Sequence, residues 1–188
     1  MAIAFDAAST GLISGAASLT ISHTVGAGAD RVLVVSATGI NSVNPLSAGT
    51  ATWGGASMGS PVVTPSAGAA NDYTYIWVLV APATGTANIV ISCAAGGYVK
   101  AVCSSWSGVD QTTPVSASVK AVGSSYPSPW SRTVTVASGG VAVDHVMLRS
   151  ASITPTPDAS QTQIGGMVNG TLSRTSGSYK TNTGSTPM

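Results

Sequence analysis

Residues 31–38 read RVLVVSAT and residues 73–81 read YTYIWVLVA, and each segment is apolar at odd and even positions alike. A strand with one face in water alternates apolar and polar residues, whereas a continuous apolar run of this length is typical of a strand covered on both faces. We therefore expect both segments to be central strands of a sheet. Their faces are expected to be covered by the protein itself or, on one side, by a partner.

Further apolar or alternating runs surround these two segments, separated by clusters of Gly, Pro, Asn and Ser. We count about a dozen runs, at the spacing expected of a sandwich or barrel. The resulting prediction is an all-β fold, an antiparallel two-sheet β-sandwich of jelly-roll-like type. Tight turns are predicted at residue pairs that accept a positive φ, namely Gly54-Gly55, Gly96-Gly97, Gly139-Gly140 and Asn169-Gly170.

The composition excludes several other classes of protein. Lys and Arg number 7 and acidic residues 6, so charged residues make up 7% of the 188 residues, whereas about 25% is usual. Because helix surfaces depend on Glu, Lys, Arg and Gln, a helical protein is excluded. The cations are scattered singly, which argues against nucleic-acid binding and against electrostatic binding to a membrane. The longest apolar run, residues 75–82, is far shorter than the roughly 20 residues of a membrane span.

The N-terminus and the cysteines indicate the cellular compartment in which the protein is made. The first residues, MAIAFD, show no positive region followed by an apolar stretch, so no secretory signal is visible and synthesis in a cytoplasm is expected. The chain has two cysteines, Cys93 and Cys103. Two cysteines form no disulfide framework in a chain of this size, and we expect small buried thiols, with a disulfide between them as the alternative.

Few titratable residues are available for catalysis, and no catalytic residue is predicted. Asp144 directly precedes His145. Neighbouring residues on a strand point to opposite faces, so these two side chains should share no hydrogen bond if residues 141–150 are extended. His23 shares a face with apolar residues and is expected to be a histidine at the edge of the core, satisfied by the backbone.

The sequence contains no recognisable metal or cofactor motif. It has neither closely spaced Cys and His residues nor a phosphate-binding glycine loop, so we predict no cofactor and no metal. A calcium site built from loop carbonyls and one carboxylate, Asp72 or Asp110, stays open as an alternative, although calcium sites usually use more than one carboxylate.

Aromatic residues are the remaining candidates for recognition. Tyr126 and Trp130 lie in a proline-rich stretch, and Trp53 precedes a predicted turn. Such rings can stack on a glycan or contact a protein partner. A role in the core or in an interface is favoured over glycan binding. Trp77 and Trp106 lie within strong strand runs and are expected to be core residues.

Four stretches combine strand and turn patterns: AFDAAS at 4–9, SHTV at 22–25 with DRVLVV at 30–35, WVLVAPATG at 77–85, and SWSGVDQTTP at 105–114. Together they resemble a loosely defined family of β-sandwich domains in virion proteins of tailed phages and in some bacterial surface proteins. The resemblance covers most of the first 120 residues. It implies a β-sandwich fold and carries over no functional residue.

The C-terminal residues depart from the pattern of that family. Its domains usually close with an apolar strand that contains an aromatic residue, whereas residues 176–188 read SGSYKTNTGSTPM. We therefore expect a β-sandwich domain over residues 1–175 and a polar tail over residues 176–188. The tail is expected to lie across a neighbouring subunit, or the open sheet edge to be paired by one. Removal of the tail should then leave the monomer folded and weaken its assembly.

These observations favour a non-enzymatic structural protein of a tailed-phage virion, assembled in the host cytoplasm, above all a capsid decoration or cement protein. Low charge allows close packing of subunits without burying unpaired ions. The expected partners are the major capsid protein or another virion protein and further copies of this chain, as a trimer by analogy, without nucleic acid or membrane. The alternative is a tail fibre, adhesin or carbohydrate-binding module that recognises a host glycan through Tyr126, Trp130 and Trp53. An enzyme ranks third.

Overall fold

The structure is a computed structural model that describes residues 2–41, 43–46, 49–65, 72–94, 97–120, 133–150, 153, 155–169 and 173–187. Within these residues the chain forms eleven β-strands and no helix. The strands are β1 (Ala4–Ser14), β2 (Ser18–Val25), β3 (Val32–Ile40), β4 (Ala51–Trp53), β5 (Ala56–Ser57), β6 (Asp72–Val80), β7 (Gly85–Ser92), β8 (Tyr98–Ser107), β9 (Thr133–Leu148), β10 (Thr162–Asn169) and β11 (Arg174–Pro187).

The strands form three antiparallel sheets. The middle sheet has the order β1-β8-β3-β6, the first outer sheet has the order β2-β7-β4-β5, and the C-terminal sheet has the order β10-β11-β9. The all-β antiparallel sandwich predicted from the sequence is confirmed. It contains three sheets rather than two, because the C-terminal strands add a layer of their own.

The middle sheet is covered on both faces, because alternate side chains of β3 belong to two different cores. Leu33 and Val35 belong to the core shared with β2, β4 and β7 of the first outer sheet. Val32 and Val34 belong to a second core, shared with residues of β9, β10 and β11. The central position expected for residues 31–38 is confirmed, since β3 lies between β8 and β6 and its two faces are covered by the protein's own layers.

β6 departs from the expectation of a central strand. Among the named strands it pairs only with β3 and forms an edge of the middle sheet. In the described part of the chain, a short bridge between Val63 and Ile76 is all that continues the sheet beyond it. An apolar run reports what covers the two faces of a strand, and it carries no information about hydrogen-bonding neighbours in the plane of the sheet.

Two interfaces hold the layers together, and they differ in composition. The core between the first outer sheet and the middle sheet contains eighteen buried apolar side chains, Trp77 among them. The core under the C-terminal sheet contains five among the described side chains, namely Val32, Val102, Trp106, Val109 and Ile164. Much of this second interface is polar instead, with Oγ1 of Thr38 3.1 Å from Oγ1 of Thr175. The expected core positions of Trp77 and Trp106 are confirmed. Apolar burial, at about 25 cal/mol per Å², therefore stabilises the first interface more than the second.

The predicted glycine turns have different outcomes. Gly54 and Gly55 join β4 to β5 with φ angles of 55° and 85°, as a tight hairpin turn requires. Gly139 and Gly140 form no turn, because β9 runs through them. Gly139, at a φ of 78°, lies where the register between β9 and β11 shifts. A glycine that accepts a positive φ fits a bulge as well as a turn, so the sequence signal is the same for both.

The other two predicted turns lie partly outside the described residues. Asn169 pairs with Arg174, so β10 and β11 form the predicted hairpin, whose residues 170–172 are not among those described. β7 and β8 belong to different sheets. The connection between them, which includes Gly97, therefore passes from one layer to the next and is not a hairpin.

The C-terminal residues form a strand, which corrects the polar tail expected at residues 176–188. β11 crosses the expected boundary at residue 175 and is the middle strand of its sheet, paired with β9 on one side and β10 on the other. A middle strand satisfies its backbone on both edges and needs no apolar side chain to do so. Tyr179 supplies the aromatic residue that such a closing strand usually has. Docking of this segment on a neighbouring subunit stays a prediction.

Candidate functional site

The three aromatic candidates do not come together in a described site. Tyr126 and Trp130 lie outside the described residues. Trp53 is only 4% exposed and lies edge-on to His23, with ring centroids 6.0 Å apart. Burial alternates along β4, and Trp53 is on the face of the strand that points into the core. A ring covered in this way cannot stack on a sugar, so Trp53 has the core role that the sequence favours over the alternative of a glycan contact.

His23 is a structural histidine in the core between the first two sheets. It is 3% exposed, and its Nδ1 lies 2.9 Å from Oγ of Ser9. The core position is as predicted, but the partner is a hydroxyl rather than the backbone. Burial lowers the pKa of His23 and outweighs the opposing effect of Asp6. The imidazole is therefore held in its neutral form.

This Ser9–His23 pair lacks the arrangement of a catalytic dyad in the described structure. A catalytic histidine is oriented by a third group such as a carboxylate. The nearby carboxylate, Asp6, instead accepts hydrogen bonds from the backbone N–H of Gly26 at 2.8 Å and from the Ser105 hydroxyl at 2.6 Å. These contacts tie β1 to its neighbours and leave His23 as a packing residue.

Both cysteines are free, buried thiols, as expected from the sequence. Burial raises the pKa of Cys103 to about 12 and also raises the pKa of Cys93. A nucleophilic cysteine must be a thiolate near neutral pH. Neither residue meets that condition, so both act as small core side chains.

Asp144 and His145 share no hydrogen bond in the described structure. Oδ1 of Asp144 accepts from the backbone N–H of Ser178 at 2.6 Å and from its hydroxyl at 2.7 Å. Burial raises the pKa of Asp144 despite these bonds. Both ring nitrogens of His145 are buried, and desolvation lowers its pKa to about 3. Asp144 and His145 are therefore neighbours in the sequence without forming a catalytic pair in the described structure.

The two aspartates considered for calcium are occupied by other contacts. Oδ1 of Asp72 lies 3.5 Å from Nε of Arg149. Oδ1 of Asp110 accepts from the backbone N–H groups of Thr112 and Thr113, and these bonds lower its pKa. Within the described ranges, no group of three or more His, Cys, Asp or Glu residues is placed to hold a metal.

A buried lysine is the polar feature that the sequence analysis missed. Lys100 on β8 is 2% exposed, and its Nζ donates to the carbonyl oxygen of Ser173 at 2.7 Å and also contacts the Ser173 hydroxyl. Desolvation lowers the pKa of Lys100. The contact fastens the start of β11 to the middle sheet. The signal in the sequence was a single charged residue inside the otherwise uncharged strand Tyr98–Ser107.

The described surface carries a groove beside the β6 edge. It is lined by Val62 to Thr64 on one side and Ser118 to Lys120 on the other. Val62 is 40% exposed and Val119 52% exposed, and Nζ of Lys120 donates to the carbonyl oxygen of Thr64 at 2.9 Å. The groove therefore combines exposed valines with one cation that is held by a backbone carbonyl.

A second surface feature is an aromatic cluster at the end of the β1–β8 pair of the middle sheet, where it meets β11. The ring of Phe5 stacks on Tyr179 with centroids 5.6 Å apart, and both rings contact Trp106. Trp106 is buried, whereas Phe5 is 40% exposed. The cluster joins β1, β8 and β11, and it was invisible in the sequence because its members are far apart along the chain.

Comparisons of this chain with protein-family models, with curated proteins and with solved structures found no match. In the part of the chain that the structure describes, no helical segment has the length and hydrophobicity that a membrane crossing requires.

Proposed function

We propose that the protein is a non-enzymatic structural component of a tailed-phage particle, displayed on the capsid as a decoration protein and assembled through protein–protein contacts. The particle is suggested by the resemblance of the first 120 residues to virion β-sandwich domains. The assembly role is supported by the described surface, which exposes valines in a groove and few charges. Such a surface packs against another protein without leaving ions unpaired.

One observation carries this proposal, the burial of three described side chains that could perform chemistry. His23, Lys100 and Cys103 are each at most 3% exposed. Each is held by hydrogen bonds that join strands of the fold. A substrate would have to separate two sheets to reach them. Their role in the proposal is therefore to stabilise the sandwich.

Mass spectrometry of purified particles tests this function. We expect the protein in hundreds of copies per particle, in a fixed ratio to the major capsid subunit. A handful of copies would indicate a fibre or spike instead, and absence from the particle would contradict both. The groove is tested by Val119→Asp, which should reduce the copy number. Val43→Asp, at a residue 68% exposed that does not line the groove, is the matched control and should leave it unchanged.

Glycan recognition is the second candidate, and exposed Phe5 is the observation that favours it. Its ring is supported from behind by Tyr179 and Trp106, as a stacking platform requires. A glycan array probed with the wild-type protein and Phe5→Ala tests this role. Leu12→Ala, at an exposed residue of the same strand, is the control. Binding lost only in Phe5→Ala, with assembly intact, would favour glycan recognition over decoration.

A further inference from the structure

We propose that the C-terminal sheet is an exchangeable unit, which docks on the middle sheet of a second copy of this chain as well as on its own. The partner is therefore the chain itself, and the surface is the face of the middle sheet that carries Thr38 and Lys100. This inference deepens the proposed assembly role, and it rests on that role for its biological use.

The two units are separate along the sequence. The strands of the middle and first outer sheets all lie within residues 4–107, and those of the C-terminal sheet all lie within residues 133–187. Among the described residues, no strand of one unit pairs with a strand of the other. The C-terminal sheet can therefore leave the middle sheet without breaking a ladder of backbone hydrogen bonds.

Among the side chains that the structure describes, the interface between the units is the less apolar of the two. The described residues place five buried apolar side chains in it, against eighteen in the other core. Its closest contacts include the Lys100 ammonium on the Ser173 carbonyl at 2.7 Å and the Thr38 and Thr175 hydroxyls at 3.1 Å. Polar groups regain hydrogen bonds to water when the sheets part, so this interface costs less to open than an apolar one of the same size.

A second copy offers the same contacts to the displaced sheet. Its Lys100 and Thr38 take the same partners, so exchange re-forms every bond of the closed chain. The chain is fixed to the first unit up to Lys120, and 12 residues separate Lys120 from Thr133. A fully extended connection of that length reaches about 40 Å. A neighbouring subunit whose middle sheet lies within that range can therefore receive the displaced sheet.

Docking within one chain competes with exchange. A tethered unit has an effective concentration of about 1 mM, so dilute protein is expected to close on itself. Exchange between chains becomes as favourable as docking within one chain where the local protein concentration reaches about 1 mM. Copies that lie side by side in an assembly reach that concentration. The fraction exchanged should therefore rise with protein concentration.

Cysteines at Thr38 and Thr175 test this inference. A tagged chain carrying Thr38→Cys and an untagged chain carrying Thr175→Cys are unfolded together, refolded at concentrations up to about 1 mM and oxidised. Exchange brings the two introduced thiols together from different chains. We expect a covalent heterodimer on a non-reducing gel, captured by the tag and increasing with concentration. Both positions are buried, so closed copies that only collide are not linked.

The pair Thr24 and Thr86 provides the matched control. Their hydroxyls lie 2.7 Å apart between β2 and β7, within one unit. Chains carrying Thr24→Cys and Thr86→Cys should be linked to each other only by collision, to the same extent whether or not the C-terminal sheet exchanges. Because this pair is exposed, it also measures linking by collision. A Thr38/Thr175 heterodimer fraction no higher than this control at every concentration would overturn the inference.

Light scattering of the unmodified chain keeps the test decisive if the variants fail to fold. Protein refolded at about 1 mM should contain dimers or larger species that persist on dilution, and a chain that is monomeric throughout overturns exchange. These experiments need no particles. A protein abundant on particles but never cross-linked would therefore contradict exchange alone, and a cross-linked protein absent from particles would contradict the proposed function alone.

Discussion

Lys100 shows how one buried polar residue can join two layers of the fold. A buried ammonium is stable only where protein groups replace the water it has lost. Ser173 supplies both replacements, a carbonyl oxygen and a hydroxyl, from a point 73 residues further along the chain. The charged residue within β8 was visible in the sequence, but its partner was not, because the pairing depends on how the third sheet docks.

Replacement of Lys100 separates the contribution of its charge from that of its volume. Lys100→Met keeps the side-chain length and should leave the free energy of unfolding within about 1 kcal/mol of the wild type. Lys100→Ala leaves a cavity and should cost about 2–4 kcal/mol. Urea unfolding measures both. A Lys100→Met variant as unstable as Lys100→Ala would contradict this account of the residue.

The same lysine should give stability a dependence on alkaline pH. Its pKa in the folded state lies below the ordinary value of 10.5, so between these two values the unfolded chain holds more protons. Raising the pH through this window therefore stabilises the fold. Urea midpoints measured as the pH rises toward 10.5 should increase less steeply in Lys100→Met than in the wild type. Equal slopes would show that another group is responsible.

His145 should make the protein sensitive to acid. Burial lowers its pKa from 6.5 to about 3, so between these values the unfolded chain binds a proton that the folded protein excludes. Stability should therefore fall as the pH drops through this window, by at most about 1.4 kcal/mol per pH unit from this residue. His145→Leu should reduce the loss measured by urea unfolding between about pH 7 and 5. His23 contributes in the same direction and stays as the internal reference.

Residue type predicted some environments and not others. The buried thiols of Cys93 and Cys103 follow from the low polarity of a free cysteine and from its strand context. The sequence could not decide between a glycan contact and a core position for Trp53, because a large aromatic residue beside a turn suits an exposed platform and a buried position equally well. Strand parity, set by the pairing of β4 with β7, decided between them.

At the scale of elements, β11 is the clearest failure of sequence patterns. Its serines, threonines and glycines predicted a tail, yet it pairs along nearly its whole length with β9. Backbone pairing on two edges does not depend on side-chain hydrophobicity, and Ser176 and Ser178 are small enough to be buried. Apolar patterns did identify β3, because that strand is buried on both faces. Apolar patterns do not identify a strand that is formed by backbone pairing rather than by burial of apolar side chains.

Shortening the chain tests the role of β11. A chain ending at Thr175 should lose the C-terminal sheet, because β9 and β10 have no pairing with each other and are left without their common neighbour. Hydrogen exchange in β9 should then approach that of an unfolded chain. A chain ending at Pro187, which removes only Met188, is the control and should behave as the wild type. A protected β9 in the shorter chain would restore the idea of a dispensable tail.

At the scale of the whole molecule, the layers should open in a fixed order. Of the described side chains, eighteen apolar ones are buried in the first interface and five in the second, so the first should outlast the second. Native-state hydrogen exchange in low denaturant should therefore show amides of β9, β10 and β11 opening together before those of β3 and β8. Equal protection of β3 and β11 would show that the three sheets form one cooperative unit.

The strand order β10-β11-β9 also sets the route by which the C-terminal sheet forms. β10 and β11 are joined by four residues and can meet as a hairpin on the microsecond timescale. β9 precedes them but borders only β11, so it finds its place after that hairpin exists. The sheet is thus expected to grow backwards along the chain, from its last two strands to its first. Mutations in the β10–β11 hairpin should slow the folding of the C-terminal sheet, whereas mutations in β9 should mainly speed its unfolding.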